Sequence, residues 1–265
     1  MALSPENKIV NGLWVGSHLS SMELLTLHSF LHHGHEFHLW LYEPVDVVLP
    51  VNVKIRDANE IIPANKIFRK KNNDHDFKIG KGSIGSPFSD LFRYKLLYEN
   101  GGWWVDMDVT CLKPFNVTEP YFFRGHPLLP MIGNIIKVPA RSELMQRVFH
   151  QVNEECNEDT LEWLLPNKIL NKHIADLDLS RYINSNLSAQ DWWEDVEVFI
   201  KSNKRFPQTW LFIHWMNEEW RSREMSKKVI FTETAIGTLC EQYGIQTKPY
   251  PVMDKLLSKF IYSFR

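Results

Sequence analysis

The sequence predicts an α/β fold, a mixed sheet flanked by helices, in a single domain spanning 1–265. Three observations lead there. The chain opens on a strand, helix, strand pattern, the signature of a parallel βαβ unit. A helical stretch at 88–99, stopped by Asn100-Gly101-Gly102, runs into a short apolar strand that ends on carboxylates. Finally, 265 residues at 44% hydrophobic and 23% charged suit one globular α/β unit, with no tract of disordered composition.

Taken in order, residues 9–15 read as a buried strand. Ser20 and Ser21 can cap a helix carrying Met22, Leu25, Leu27, Phe30 and Leu31 at roughly helical spacing, closed by Gly34. Residues 37–42 and 51–55 read as the next strands. Residues 71–87, rich in Asn, Asp, Gly and Lys with few apolar anchors, read as a loop, either a lid beside a site or a plain surface insertion. After the helix at 88–99, the strand at 103–105 leads into Asp106. Further strands are expected at 121–124 and 132–138, and helices at 142–155 and 160–173, the second bent or split by Pro166. The nucleotide-binding part is expected at about 7–115 and the acceptor-side and closing part at about 116–265.

Bulk properties exclude several classes. A formal charge of -2 leaves no electrostatic footprint for nucleic acid. Cys111, Cys156 and Cys240 form no CxxC pair, so reduced, structural thiols are expected instead of a zinc site or a disulfide framework. The polar opening shows no signal peptide and no apolar run reaches membrane-spanning length, which predicts a cytoplasmic address, compatible with peripheral attachment to a membrane. The sequons at Asn116 and Asn186 would then go unused. Ten Trp and sixteen Phe supply a core, with rings to spare for sugar stacking.

The chemistry concentrates at Asp106-Met107-Asp108. On a strand, positions i and i+2 share a face, so the two carboxylates are expected to project together. Like charges that close raise each other's pKa unless a cation sits beside them. A hard divalent ion, Mn²⁺ or Mg²⁺, meets that need and also takes phosphate oxygens. A bare DxD is common by chance, and its alternative is a solvated turn.

Its flanks are more specific. Ser89-Asp90-Leu91-Phe92-Arg93-Tyr94 lies on the preceding helix, with Asp90 and Arg93 three apart on one face. From there Leu97-Tyr98 and Gly101-Gly102-Trp103-Trp104-Val105 lead to the carboxylates. The whole stretch resembles the family 32 glycosyltransferases, the group defined by a DxD sugar-binding region, and the catalytic domains of the large clostridial glucosylating toxins. Their shared pattern is SDxxRYxxLYxxGGxYxDxD, and here Trp104 stands where Tyr is usual. The resemblance implies a GT-A fold with a Rossmann-like mixed sheet. It also implies transfer of a sugar from a nucleotide-diphosphate sugar, UDP-linked in preference to GDP-linked, to a glycan or lipid-linked oligosaccharide, with retention of configuration.

Site roles follow from the same resemblance. Asp90 and Arg93 would meet the donor sugar and diphosphate, Asp106 the ribose and sugar with or without a metal bond, and Asp108 the metal. Trp104 would line the nucleotide or sugar pocket; its alternative is a core ring, and that of Asp90–Arg93 a plain surface ion pair worth about 0.2–0.5 kcal/mol. Lys8-Ile9-Val10-Asn11-Gly12-Leu13-Trp14-Val15-Gly16 is similar to the family's opening KIIHQIWxG, which puts Trp14 and Val15 at the nucleotide base. Asn11 and Gly12 replace the family's His and Gln. Phe212-Ile213-His214-Trp215-Met216-Asn217 resembles the closing motif whose His adds a metal ligand, with Asn217 and Trp220 as diphosphate contacts. Gly133-Asn134 is linked to the acceptor side.

Two rivals share these residues. Asp106-Met107-Asp108-Val109-Thr110 also satisfies the DxDxT of haloacid-dehalogenase-type phosphatases, in which the first Asp is a nucleophile. That fold needs a late acidic pair, for which Asp176, Asp178 and Asp191 are poorly placed candidates. The other rival is a catalytically inactive sugar-nucleotide-binding module.

Overall fold

A computed structural model describes residues 3–69, 71 and 88–249. A short helix α1 (Pro5–Lys8) leads into strand β1 (Ile9–Trp14) and then helix α2 (Ser21–His32). A capping box starts α2: the Met22 N–H donates to Ser20 Oγ at 3.3 Å, and the Ser20 N–H donates to the Glu23 carboxylate at 2.6 Å. Gly34, at φ 86°, turns the chain into β2 (Glu36–Leu41), followed by β3 (Lys54–Asp57). Helix α3 (Phe88–Asn100) then delivers β4 (Gly102–Val105) and β5 (Val109–Cys111). Next come β6 (Phe122–Gly125), β7 (Met131–Val138), α4 (Glu143–Glu155) and α5 (Leu165–Asp176). The described chain finishes with β8 (Ile183–Asn184), α6 (Trp193–Lys201), β9 (Phe212–His214), α7 (Asn217–Ser222) and α8 (Ala235–Gln242).

Seven strands form one mixed sheet in the order β3-β2-β1-β4-β7-β6-β8. The first four run parallel, β7 is antiparallel to both β4 and β6, and β8 is parallel to β6. Strand alternation sends the adjacent indoles of β4 to opposite faces. Trp103 packs with Phe30, Phe37 and Phe115 on the α2 side, and Trp104 with Phe92, Leu96 and Ile136 on the side of α3, α4 and α5. Both are buried, each large apolar side chain contributing on the order of 1.5–3 kcal/mol. A third core joins α6, α8, Trp215 and Trp220 to Met22 and Leu25 of α2. This closing unit is tied back to the front of the molecule by the two-stranded β5–β9 pair.

The expected architecture is present, with three corrections. The strand at 51–55 is shifted to Lys54–Asp57 and is exposed throughout, an edge strand without apolar alternation. The helix expected at 160–173 begins at Leu165, because Pro166 lacks the N–H that an interior position needs and sits without cost in a first turn. Strand β4 stops at Val105, so Asp106 and Asp108 lie in a turn closed by the Val109 N–H donating to the Asp106 carbonyl at 3.2 Å. Their convergence comes from that turn and not from the pleat. The loop read at 71–87 falls, apart from Lys71, outside the described residues. The three cysteines are free and buried, and no helix among the described residues is long and apolar enough to cross a membrane.

Candidate active site

Helix α3 presents Asp90 and Arg93 inward, beneath the end of β4. The buried Arg93 guanidinium bonds Asp90 through Nη1 and donates from Nη2 to Asp106 Oδ1 at 2.7 Å. The Trp104 indole N–H donates to the same oxygen at 2.7 Å, and its ring lies 5.2 Å from the guanidinium carbon. Asp90–Arg93 is therefore a buried link in a network and not a surface pair. Trp104 is both core and site: buried in body, bonded at its polar edge to the first carboxylate of the DxD. Gly133 permits this packing, since a Cβ there would stand 2.7 Å from Arg93 Nη1. Gly12 similarly makes room for the Met107 thioether, 2.9 Å from where its Cβ would be.

Asp108 is held from the other end of the chain. The Asn217 N–H donates to Asp108 Oδ2 at 2.8 Å, and His214 Nε2 lies 3.2 Å from that oxygen. Register places them: Val109 pairs with His214 across β5–β9, and the Trp215 N–H donates to the Asp108 carbonyl. Met216, at φ 56° and ψ 58°, takes the left-handed conformation that starts α7, a strained position for a side chain with a Cβ and one that turns the Asn217 N–H toward Asp108. His214 Nδ1 donates to Asp191 Oδ1 at 3.0 Å, and Arg124 grips Asp191 through both oxygens.

The two carboxylates of the DxD differ electrostatically. Burial disfavours ionised Asp106, and with Asp108 nearby its pKa stays above the ordinary value despite Arg93. Burial also works against Asp108, but the adjacent His214 and the Asn217 N–H outweigh it and hold its carboxyl below the usual range. Burial would lower the His214 pKa, yet Asp108 and Asp191 on either side raise it to about 10. Asp191 lies well below the carboxylate range, its burial overcome by Arg124 and His214. Asp108 is the more firmly ionised of the pair.

Apart from Arg124, which lies behind Asp191, the side chains of this network line one cavity of about 690 Å³. Trp14, Val15, Asp90, Arg93, Trp104, Asp106, Asp108, Asn134, His214 and Asn217 all line it. Trp220 does not line it: the ring is buried in the third core, its indole N–H donating to the Trp215 carbonyl at 2.9 Å. Several buried polar atoms at the cavity have no partner among the described residues, including Asp90 Oδ2, the Trp14 indole N–H and both amide atoms of Asn134. Such groups are costly to leave dry and unpaired, which marks the cavity as built for a polar ligand.

A divalent cation suits this donor set. Asp106 and Asp108 line the cavity with His214, and each carboxylate bonds the described residues through one oxygen, so the other is available to a cation. Among the described residues no three His, Cys, Asp or Glu side chains form a metal cage by themselves. Ligand oxygens and water would complete the coordination, as is usual for Mg²⁺ beside phosphates.

Residues 32–122 match the family described as "Glycosyltransferase sugar-binding region containing DXD motif". The likeness to the DXD glycosyltransferases lies in that region. The match spans α3, β4 and the DxD turn, so the family's own region is the part that holds Asp90, Arg93, Asp106 and Asp108. The mixed α/β sheet flanked by helices agrees with the fold class that the sequence predicts. Among solved structures, the chain is similar to one titled "PaToxG Glycosyltransferase", at 12% identity, 64% of this chain, 68% of that one and a TM-score of 0.46. It is also similar to a transferase solved as a cysteine-to-serine double mutant, at 9% identity, 67% of this chain, 86% of that one and a TM-score of 0.42. No curated protein matches the sequence.

The phosphatase alternative finds little here. The first oxygen of Asp106, its would-be nucleophile, is engaged by both Arg93 and Trp104. Asp176 and Asp178 are absent from the cavity wall, and Asp191 is committed to Arg124 and His214. For a sugar-transfer site, Arg124 and Asp191 are residues that sequence reading missed; no motif contains them.

Proposed function

We propose that this chain transfers a sugar from a nucleotide-diphosphate sugar, UDP-linked in preference to GDP-linked, to a glycan or lipid-linked oligosaccharide, with retention of configuration. One observation carries the reading: Asp90, Arg93, Asp106, Asp108 and His214, drawn from both ends of the chain, converge on one cavity that also contains unpaired polar atoms. The whole chain acts as one catalytic domain, the part before about residue 115 holding the donor and the later part closing over it and meeting the acceptor.

Trp14 and Val15 flank the nucleotide base at the end of β1, where parallel strands of open α/β sheets present their ligands. Asp106 reads ribose and sugar hydroxyls from a position fixed by Arg93 and Trp104. The free Asp90 oxygen and the Asn134 amide are the groups available to the sugar. Asp108 and His214, with Asp106, hold Mn²⁺ or Mg²⁺, and Asn217 lies beside the diphosphate. When bound, the cation supplies Lewis-acid neutralisation of the departing diphosphate. Arg93 adds a fixed positive charge that needs no reorganisation as the sugar–phosphate bond lengthens. Asp191 is fully engaged and Asp106 half engaged, so neither is set as a covalent nucleophile, which favours same-face attack assisted by the leaving phosphate.

The test is a donor screen. The full chain with Mn²⁺ is incubated with UDP-glucose, UDP-N-acetylglucosamine, UDP-galactose and GDP-mannose, and nucleotide release and thermal shift are read. One donor should stabilise the fold and be turned over slowly in water; Asp108→Ala should abolish both effects while leaving the far-UV spectrum unchanged. Full turnover by Asp108→Ala, or phosphate release from a generic ester without any sugar donor, would overturn the assignment.

A further inference from the structure

Asp191 lies outside every motif of the sequence, yet both of its oxygens are committed. Arg124 donates from Nη1 to Oδ2 at 2.6 Å and from Nη2 to Oδ1 at 2.7 Å, a two-pronged fork. Arg124 is anchored in turn: it rises from β6 of the main sheet and donates to Ser188 Oγ at 3.2 Å and to the Ala189 carbonyl at 2.9 Å. Both side chains are almost wholly buried, at 2% and 4% exposure. Asp191 Oδ1 also accepts from His214 Nδ1 at 3.0 Å. His126 Nε2 stands 3.8 Å from Oδ2, too far to compete as a hydrogen bond.

A carboxylate bound this way is poorly placed to take a substrate proton or a cation. What it can do is hold a ring. A free imidazole exchanges its two tautomers and rotates about its side-chain bonds, and only one arrangement points a bare Nε2 at a cation beside Asp108. We propose that Arg124 and Asp191 form a positioning clamp that keeps the proton of His214 on Nδ1 and aims Nε2 at the cation site. The proposal rests on the donor-site reading above. A plain structural ion pair would need the Arg124 fork but no bond to the ring of a cavity-lining histidine.

Asp191→Asn separates the two. The amide keeps the shape but must set an NH₂ against either Arg124 or His214. Facing Arg124 it opposes donor to donor. Facing His214 it turns Nδ1 into an acceptor and moves the ring proton to Nε2, where the cation belongs. Loss of such an outer partner weakens metal binding about 10–100-fold.

The experiment uses the full chain with Mn²⁺ and UDP, free Mn²⁺ being followed by electron paramagnetic resonance, alongside thermal melts and ¹⁵N-histidine NMR of the protein with diamagnetic Mg²⁺ and UDP. The expected result is Nδ1-protonated His214 in the wild type and a 10–100-fold weaker Mn²⁺ affinity in folded Asp191→Asn. Undiminished Mn²⁺ binding by that variant, with the wild type binding normally, overturns the clamp alone. Should the variant not fold, the wild-type NMR decides, a bare Nδ1 overturning the proposal. A wild type that binds no Mn²⁺ in the presence of UDP overturns the donor-site reading, and the clamp with it.

Discussion

Replacing Gly133 with alanine asks whether Arg93 is a fixed part of the site or a movable tip. The new methyl would stand 2.7 Å from Arg93 Nη1 and 3.4 Å from Asn167 Oδ1. On an open surface an arginine tip would swing aside at little cost. Here the guanidinium is buried, tied to Asp90 on one side and to Asp106 at 2.7 Å on the other, with the Trp104 ring beside it. Two effects oppose each other. Loss of a glycine restricts the unfolded chain and stabilises by about 0.4–1 kcal/mol where the backbone tolerates alanine. Overpacking a filled interior costs about 1–3 kcal/mol. The steric effect wins, leaving Gly133→Ala about 1–2 kcal/mol less stable in urea unfolding. Because the displaced guanidinium also holds Asp106 through Nη2, donor affinity should fall as well, about tenfold for each 1.4 kcal/mol lost at that contact. Calorimetric titration of UDP with Mn²⁺ present reads the second effect. A variant as stable as the wild type, with unchanged affinity, would show that the guanidinium moves freely and would refute its role as a rigid strut.

Trp104→Phe keeps an aromatic ring beside Arg93 but removes the N–H that donates to Asp106 at 2.7 Å. Hydrogen bonds to charged groups are worth about 1.5–3 kcal/mol, and Arg93 remains, so the expected loss is roughly tenfold in donor affinity; an unchanged titration would deny the indole this role. His35 provides a pH signature away from the site. Its Nδ1 bonds the Asn7 carbonyl at 2.9 Å and its Nε2 accepts the Phe115 N–H at 3.1 Å, while burial lowers its pKa from 6.5 to about 4. The folded pKa lies below the unfolded one, so the unfolded chain takes the proton first. Stability present above about pH 6.5 should therefore fall by up to about 3 kcal/mol as pH drops toward 4, and His35→Gln should flatten that slope in urea melts. Equal slopes in the two proteins would contradict the account. Trp14 has an unpartnered indole N–H and lines the cavity. UDP or GDP with Mn²⁺ should quench fluorescence that is missing in Trp14→Phe, and identical quenching in both proteins would remove Trp14 from the base site.

The proposed donor half of the site was legible in the sequence because its pieces are contiguous. Asp90, Arg93, Trp104 and Asp106 fall within one helix–turn–strand unit, where spacing alone brings side chains together. His214 was legible only through its similarity to a closing motif. Arg124 carries no motif, and Asp191 enters the sequence reading only as a poorly placed phosphatase acid; the two meet across 67 residues, beyond the reach of local spacing. Asp106 and Asp108 are not brought together by strand pleating: the chain leaves the sheet at Val105, and a turn places both on the cavity wall. Trp220 looked like a ligand contact on its motif, but its apolar surroundings drew it into the core. The start of α5 followed Pro166, a local signal outweighing the apolar spacing ahead of it.

The bond from the Asn217 N–H to Asp108 spans 109 residues of chain. A polypeptide emerging from the ribosome can complete β1, α2, α3 and β4, and with them the Arg93 pocket, long before β9 exists. Until β9 pairs with β5, Asp108 has neither His214 nor the Asn217 N–H. On the proposed reading, the nascent chain holds the Asp90–Arg93–Asp106 cluster before the groups that complete Asp108, and chemical competence waits on the pairing of β9 with β5. A chain released early, or clipped between α6 and β9, would retain much of the main sheet while losing the groups that complete its reactive end.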